Sequence, residues 1–132
     1  MNDVSKEAKA KVAAFVEKHV NRSKYSQKEI AEICGFNTPN IITMIKQGMT
    51  KVPIEKIPKL AQALDIDRVE FFDFVMRSYK PKEYEAILEI IGEPITEAEH
   101  KVIRLLRRHI PEGDLINRTD HYLDKIREAI TT

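Results

Sequence analysis

The sequence predicts an all-α protein, with a five-helix domain followed by about three amphipathic helices. Three observations carry this. Glycine is scarce, four residues in 132, while Lys, Glu, Ile, Leu and Ala dominate, which favours helices. Apolar residues recur at intervals of three and four, and no stretch alternates long enough to be a strand. The periodic stretches are punctuated by Ser, Thr or Asp at their starts and by Gly at several of their ends. With 42% apolar and 33% charged residues, the chain can bury a core and is not of disordered composition.

The elements follow in order. Ser5 caps a first helix to about Val20, with Ala8, Val12, Phe15, Val16 and Val20 on one side. Ser26, with Glu29 three residues on, forms a capping box for a short second helix. Ile30, Ala31 and Cys34 make its inner side and Gly35 ends it. Asn37 or Thr38 caps a third helix with Pro39 in its first turn, Ile41, Met44 and Ile45 facing inward, and Gly48 as its stop. Ile42 falls on a partly outward position, free to touch a ligand or to pack. Pro53 opens a fourth helix, which Pro58 either bends or delays. After a break at Asp65–Asp67 a fifth runs to about Tyr79.

Beyond it, Tyr84, Ile87, Leu88 and Ile91 share one face before Gly92. Thr96 and Glu99 box the start of a helix containing Val102, Ile103, Leu105 and Leu106. Pro111-Glu112-Gly113 breaks it, and a last helix starts at Thr119 or Asp120. The expected division is a domain over residues 1–80 and a helical dimerisation or packing segment over 81–132.

Charge separates these two parts. Residues 1–80 hold 14 basic and 10 acidic side chains; residues 81–132 hold 8 and 11. Between Lys18 and Lys59 eight basic residues face only Glu29, Glu32 and Glu55. Charge alone is also what a solvated face provides; a local basic stretch in a balanced chain suits a phosphate-facing surface.

Other chemistries find little support. No apolar run approaches the roughly 18 residues of a membrane span, and the charged N-terminus lacks the apolar stretch of a secretory signal. One cysteine, Cys34, forms no internal disulfide, in keeping with a reducing, cytoplasmic setting. His19, His100, His109 and His121 are not at metal-ligand spacing, and Glu97-x-x-His100 is half of a di-metal motif without its second copy. Neither a phosphate-binding glycine loop nor a nucleophile elbow is present. The expectation is a non-enzyme without cofactor or metal.

The informative segment is Ser26 to Gly48, SQKEIAEICGFNTPNIITMIKQG. Ala31 is small where two helices would cross, Gly35 tolerates positive φ in the turn, and Ile41 and Met44 are apolar on the second helix. With Gln27 as the first residue, these positions keep helix-turn-helix spacing. Residues 5–79 resemble the lambda-repressor-like, Xre-type DNA-binding domain, and the stretches Gly48–Pro53 and Lys59–Asp67 are similar to that family's turn and fourth helix. Gly48 lies one residue later than in the best-known phage repressors.

The resemblance implies a transcriptional regulator, a repressor in a bacterium or phage, bound as a homodimer to double-stranded DNA at a partly palindromic operator. It places Asn37, Thr38, Pro39, Asn40 and Thr43 at the bases, with Asn40 suited to an adenine edge. It places Gln27, Lys28, Lys46 and Lys51 at phosphates, Gln27 beside the positive end of its helix. In the fifth helix Val69, Phe72, Met76 and Tyr79 form a stripe that Phe71, Phe74 and Val75 extend around most of the circumference, so it needs a cover. Phe71, Phe74 and Val75 are accordingly expected at a dimer interface, together with the C-terminal helices. Two alternatives stand beside this reading: an antitoxin whose residues 81–132 grip a toxin, and a helix-turn-helix scaffold used for protein binding.

Overall fold

The computed structural model describes residues 4–131, which are helical throughout with no strand among them. Two compact units divide after Thr96. The first contains α1 (Lys6–Arg22), α2 (Gln27–Cys34), α3 (Asn40–Lys46), a 3-10 turn (Ile54–Lys56), α4 (Ile57–Leu64), α5 (Arg68–Tyr79) and α6 (Pro81–Ile91). The second contains α7 (Glu97–His109), α8 (Glu112–Asn117) and α9 (Thr119–Thr131).

Helix starts in the first unit follow local chemistry. The Ser5 hydroxyl accepts from the Ala8 N–H and that of Ser26 from the Glu29 N–H, both at 3.1 Å. The Asp67 carboxylate accepts from the Val69 and Glu70 N–H groups at the head of α5. Each replaces water on an orphan donor, worth about 1 kcal/mol. At the end of α2, Gly35 takes φ +74°, and the Phe36 N–H reaches back to the Ala31 carbonyl at 2.9 Å. The fourth helix begins later than Pro53: a 3-10 turn precedes it, and Pro58 lies in the first turn of α4, where its missing N–H costs nothing.

One core joins these helices. Val12, Val16, Ile30, Ile42, Ile45, Leu60, Phe71 and Val75 are among its fully buried members. Helix α2 packs on α4, α1 on α5, and α3 on both α1 and α2. Gly48, at φ +71°, lies against Ala10 and Ala13 of α1, which any larger residue would crowd.

The fifth helix is covered by its own chain. Phe71 and Val75 have no exposed surface. Phe15 stacks on Phe71 and on Phe74, with ring centroids 5.7 and 4.6 Å apart, while Tyr84 of α6 meets Phe72 edge-on at 5.7 Å. Only Phe74 of the three expected interface residues retains partial exposure. The aromatic circumference therefore marks a helix enclosed by α1, α4 and α6, and Phe71 and Val75 are corrected from interface to core.

Helix α6 belongs with this unit, so the compact body runs past residue 80. Tyr84 is buried, and its hydroxyl donates to Asp73 at 2.8 Å. Arg77 holds the same carboxylate at 2.9 Å and lies over the Tyr84 ring. Burial first, and then the Asp73 carboxylate, push the Tyr84 phenol up to about 12. On α5, the Tyr79 hydroxyl accepts from the Val52 N–H at 2.9 Å and pins the segment that follows α3.

In the second unit the expected break at Pro111–Gly113 is instead the start of a helix. Pro111 ends α7 yet stands at the N-cap of α8, whose first turn carries Glu112 and Asp114. The C-terminal part thus has four helices after α5, α6 included. Helix α8 packs on α9, and the Tyr122 hydroxyl donates to Asp114. No residue of α7, α8 or α9 is fully buried.

Candidate nucleic-acid interface

Helix α3 is the element that the helix-turn-helix spacing nominates for the DNA groove, and its rotation decides which side chains it offers. Four of its seven residues are Ile41, Ile42, Met44 and Ile45, so periodicity permits more than one inner face. Ile42 and Ile45 are the buried pair, whereas Ile41 and Met44 are half-exposed. The expectation of an inward Ile41–Met44 face and a partly outward Ile42 is therefore corrected by a rotation of the helix. At about 100° per residue, the side opposite Ile42 and Ile45 carries Asn40, Thr43, Met44 and Gln47.

The approach to α3 is open. Asn37, Thr38, Pro39 and Asn40 are all exposed. Neither Asn37 nor Thr38 caps the helix: Pro39 holds the N-cap position without a side-chain bond, and the Ile42 N–H closes a tight turn onto the Pro39 carbonyl at 3.1 Å. Freed from capping, the Asn37 and Thr38 side chains stand in front of the helix.

A polar latch ties α2 to α3. The Gln27 amide donates to the Thr43 hydroxyl at 2.9 Å, and the Lys46 ammonium donates to the Gln27 amide oxygen at 3.0 Å. All three side chains are half-exposed. The latch fixes the Gln27 amide orientation at the first residue of α2 and holds Lys46 along the flank of α3. Gln27, Thr43 and Lys46, assigned to different contacts from sequence, thus form one cluster. Lys28 and Lys51 stand apart from it and are exposed.

Two members of the outer face, Met44 and Gln47, were missed by sequence reasoning. Met44 was assigned inward by the alternative register, and Gln47 fell into the stop before Gly48. Gln47 is exposed, and its N–H still bonds the Thr43 carbonyl at 3.0 Å, so it continues the face of α3 by one position. The only sequence signal for it was the separation of seven from Asn40, two turns of helix.

The thiol between these helices has no part in such a surface. Burial pushes the Cys34 thiol up, opposed by the nearby positive charges of Lys56 and Lys59, and the side chain belongs to the core. Among the described residues no three His, Cys, Asp or Glu side chains gather as metal ligands, and no helix is long and apolar enough to cross a membrane.

Comparison with known families gives one match, to a helix-turn-helix domain, over residues 2–70. It spans α1 to α4 and ends inside α5, so it contains the latch and the whole of α3. No curated protein and no solved structure matches the chain. With more than half its length inside that match and its second and third helices joined by the Gly35 turn, the chain belongs to the helix-turn-helix domain family.

Proposed function

We propose that this protein is a sequence-specific, double-stranded DNA-binding transcriptional regulator of the lambda-repressor-like type. In this reading it is a repressor that acts as a homodimer on a partly palindromic operator. The observation that carries the proposal is the outer face of α3: Asn37, Thr38, Pro39 and Asn40 exposed ahead of it, Thr43 and Gln47 along it, and the Gln27–Lys46 latch at its side.

Each group has a role there. Asn40 and Gln47 carry amides, which can pair with both polar atoms of an adenine edge, and Met44 offers an apolar contact to a thymine methyl. Thr43, already bonded to Gln27, presents its methyl on the same side. Lys28, Lys51 and the latched Gln27–Lys46 pair meet phosphates, which set position and salt dependence while the amides select sequence.

The deciding experiment is selection from a randomised duplex pool with the full-length protein. An enriched, two-fold symmetric motif with half-sites about one helical turn apart is expected. Affinity for that motif should fall by orders of magnitude between about 50 and 200 mM salt if roughly six or more phosphates are contacted. Recovery of unenriched sequence, or a flat salt titration, rejects the proposal.

The antitoxin alternative draws on one observation, the lack of any fully buried residue in α7–α9, as in a segment completed by a protein partner. Regular amphipathic spacing in all three helices favours a second copy of this chain.

A further inference from the structure

Within the second unit, α7 uses only part of its apolar surface. Ile103, Leu106 and Ile110 lie on one flank and are half-buried. Ala98, Val102, Leu105 and His109 lie on the other and are exposed, Val102 by 59% and Leu105 by 52%. Their separations of four, three and four make a straight seam along a helix, the spacing by which two helices interlock. Charged ends flank the seam: Glu97 and Glu99 in the first turn, Arg107 and Arg108 in the last.

We infer that α7 pairs with α7 of a second copy, antiparallel about a two-fold axis. This rests on the homodimer reading above and names its interface. Two features select the antiparallel sense. Turned end for end, the seam matches itself: Val102 meets Leu105 of the partner subunit, and small Ala98 meets the larger His109 of the partner subunit, each contact occurring twice. The acidic first turn of each helix then lies beside the basic last turn of the other, bringing opposite charges together at both ends. A parallel pair would instead set Glu97 and Glu99 beside their own copies, and Arg107 and Arg108 beside theirs. Like charges facing one another across a seam disfavour that arrangement.

Net charge agrees with a self-association surface. The acidic excess of the C-terminal half lies wholly in residues 81–96, where Glu83, Glu85, Glu89 and Glu93 face only Lys82; residues 97–132 balance seven acidic against seven basic side chains. A neutral segment with separated ends brings no net repulsion to pairing with itself. The seam is about 20 Å long at 1.5 Å per residue. That is short for an interface, so the dimer is expected to be in equilibrium with monomer at micromolar concentrations.

Cross-linking of the full-length chain tests the geometry. Ala98→Cys and His109→Cys are made separately in the otherwise unchanged protein, whose only other thiol, Cys34, is buried; the unsubstituted chain is the control. In the antiparallel pair a cysteine at 98 lies about 16 Å along the axis from its own copy but opposite position 109. Mixing the two variants with a short bismaleimide should therefore give a covalent dimer, while Ala98→Cys alone gives little. Sedimentation of the unlinked proteins runs beside this. Efficient self-linking of Ala98→Cys overturns the antiparallel sense. A sedimenting dimer with no link in the mixture removes α7 from the interface and leaves the homodimer reading standing. A monomer at all concentrations, with or without operator DNA, rejects both.

Discussion

The two units of this chain are built from similar helices but reach different degrees of closure. In the first, residues from six helices meet in a core that leaves Ile42, Phe71 and Val75 without exposed surface. In the second, the best-covered apolar side chains, Ile103, Leu106, Leu115 and Ile126 among them, are only half-buried, while Val102, Leu105, Ile116, Leu123 and Ile130 remain exposed. Three short helices have too little interior to hide both flanks of α7, whereas the first unit encloses α5 from several sides. Amphipathicity thus serves the fold in one region and leaves surface for a partner in the other.

Stability should separate the units most sharply. Phe71→Ala removes an aromatic ring from a closed site and stacking from Phe15, with an expected loss of about 3–5 kcal/mol. Ile126→Ala, on a half-buried site, should cost about 1 kcal/mol or less at concentrations where the chain is monomeric. Chemical denaturation of both variants measures the contrast. Equal losses would mean that the second unit is as tightly closed as the first.

A second contrast is functional. Gln47→Ala and Asn40→Ala should each reduce discrimination between specific and unrelated duplex by about 1–3 kcal/mol without changing self-association. Leu105→Glu should do the opposite, weakening operator binding through the dimer while preserving the preferred half-site. Fluorescence anisotropy with operator and scrambled duplexes, paired with sedimentation, reads both quantities. Unchanged discrimination in Gln47→Ala would return the reading role to the residues ahead of α3.

These contrasts also show which features were legible in the sequence. Single-faced helices with polar caps, α1 and α2, could be read directly: Ser5, Ser26 and Gly35 act as their residue types suggest. Helix α3 could not, because apolar residues at 41, 42, 44 and 45 satisfy two rotations, and packing against α1 and α2 chooses between them. The aromatic cluster of α5 misled for a related reason. A helix apolar all round needs a cover, but composition does not say whether that cover is Phe15 and Tyr84 of the same chain or another molecule. Prolines were ambiguous as well. Pro58, Pro81 and Pro111 each stand at or just before a first helical turn, and a proline that ends one helix, as Pro111 does, can start the next.

Alkaline pH offers a smaller effect confined to the first unit. The neutral Tyr84 phenol is favoured in the fold, where its titration is pushed up to about 12 from an ordinary value near 10. Its contribution is therefore complete below about pH 10 and is lost as pH rises from there toward 12. Burial raises Tyr79 in the same direction, so both tyrosines contribute to the alkaline limb. Tyr84→Phe should lose about 1 kcal/mol at neutral pH, through the missing bond to Asp73, and flatten part of the decline above pH 10. Denaturation midpoints across pH 8–11.5 show this; an unaltered alkaline slope would place the titration elsewhere.

The smallest expected effect is a gain, and it compares two turns inside the first unit. Helices α2 and α4 end alike: the residue after each helix is left-handed, and the following N–H returns to a carbonyl five residues back, Phe36 to Ala31 and Ile66 to Ala61, both at 2.9 Å. At α2 that residue is Gly35, for which φ +74° carries no Cβ penalty. At α4 it is Asp65, held at φ +55°, where a Cβ crowds the backbone and a negative charge faces the negative end of the helix. Asp65→Gly relieves both and gives back part through the greater freedom of the unfolded chain, for a net gain of about 0.5 kcal/mol. Asp65→Asn relieves only the charge, because Asn still carries a Cβ, and should gain less. Gly35→Ala imposes the same strain at the other turn and should lose about 1 kcal/mol. Thermal denaturation of the three variants orders them. A loss in both Asp65 variants would show that the carboxylate is held by the basic side chains nearby, Arg22 and Lys24, which line the same hollow.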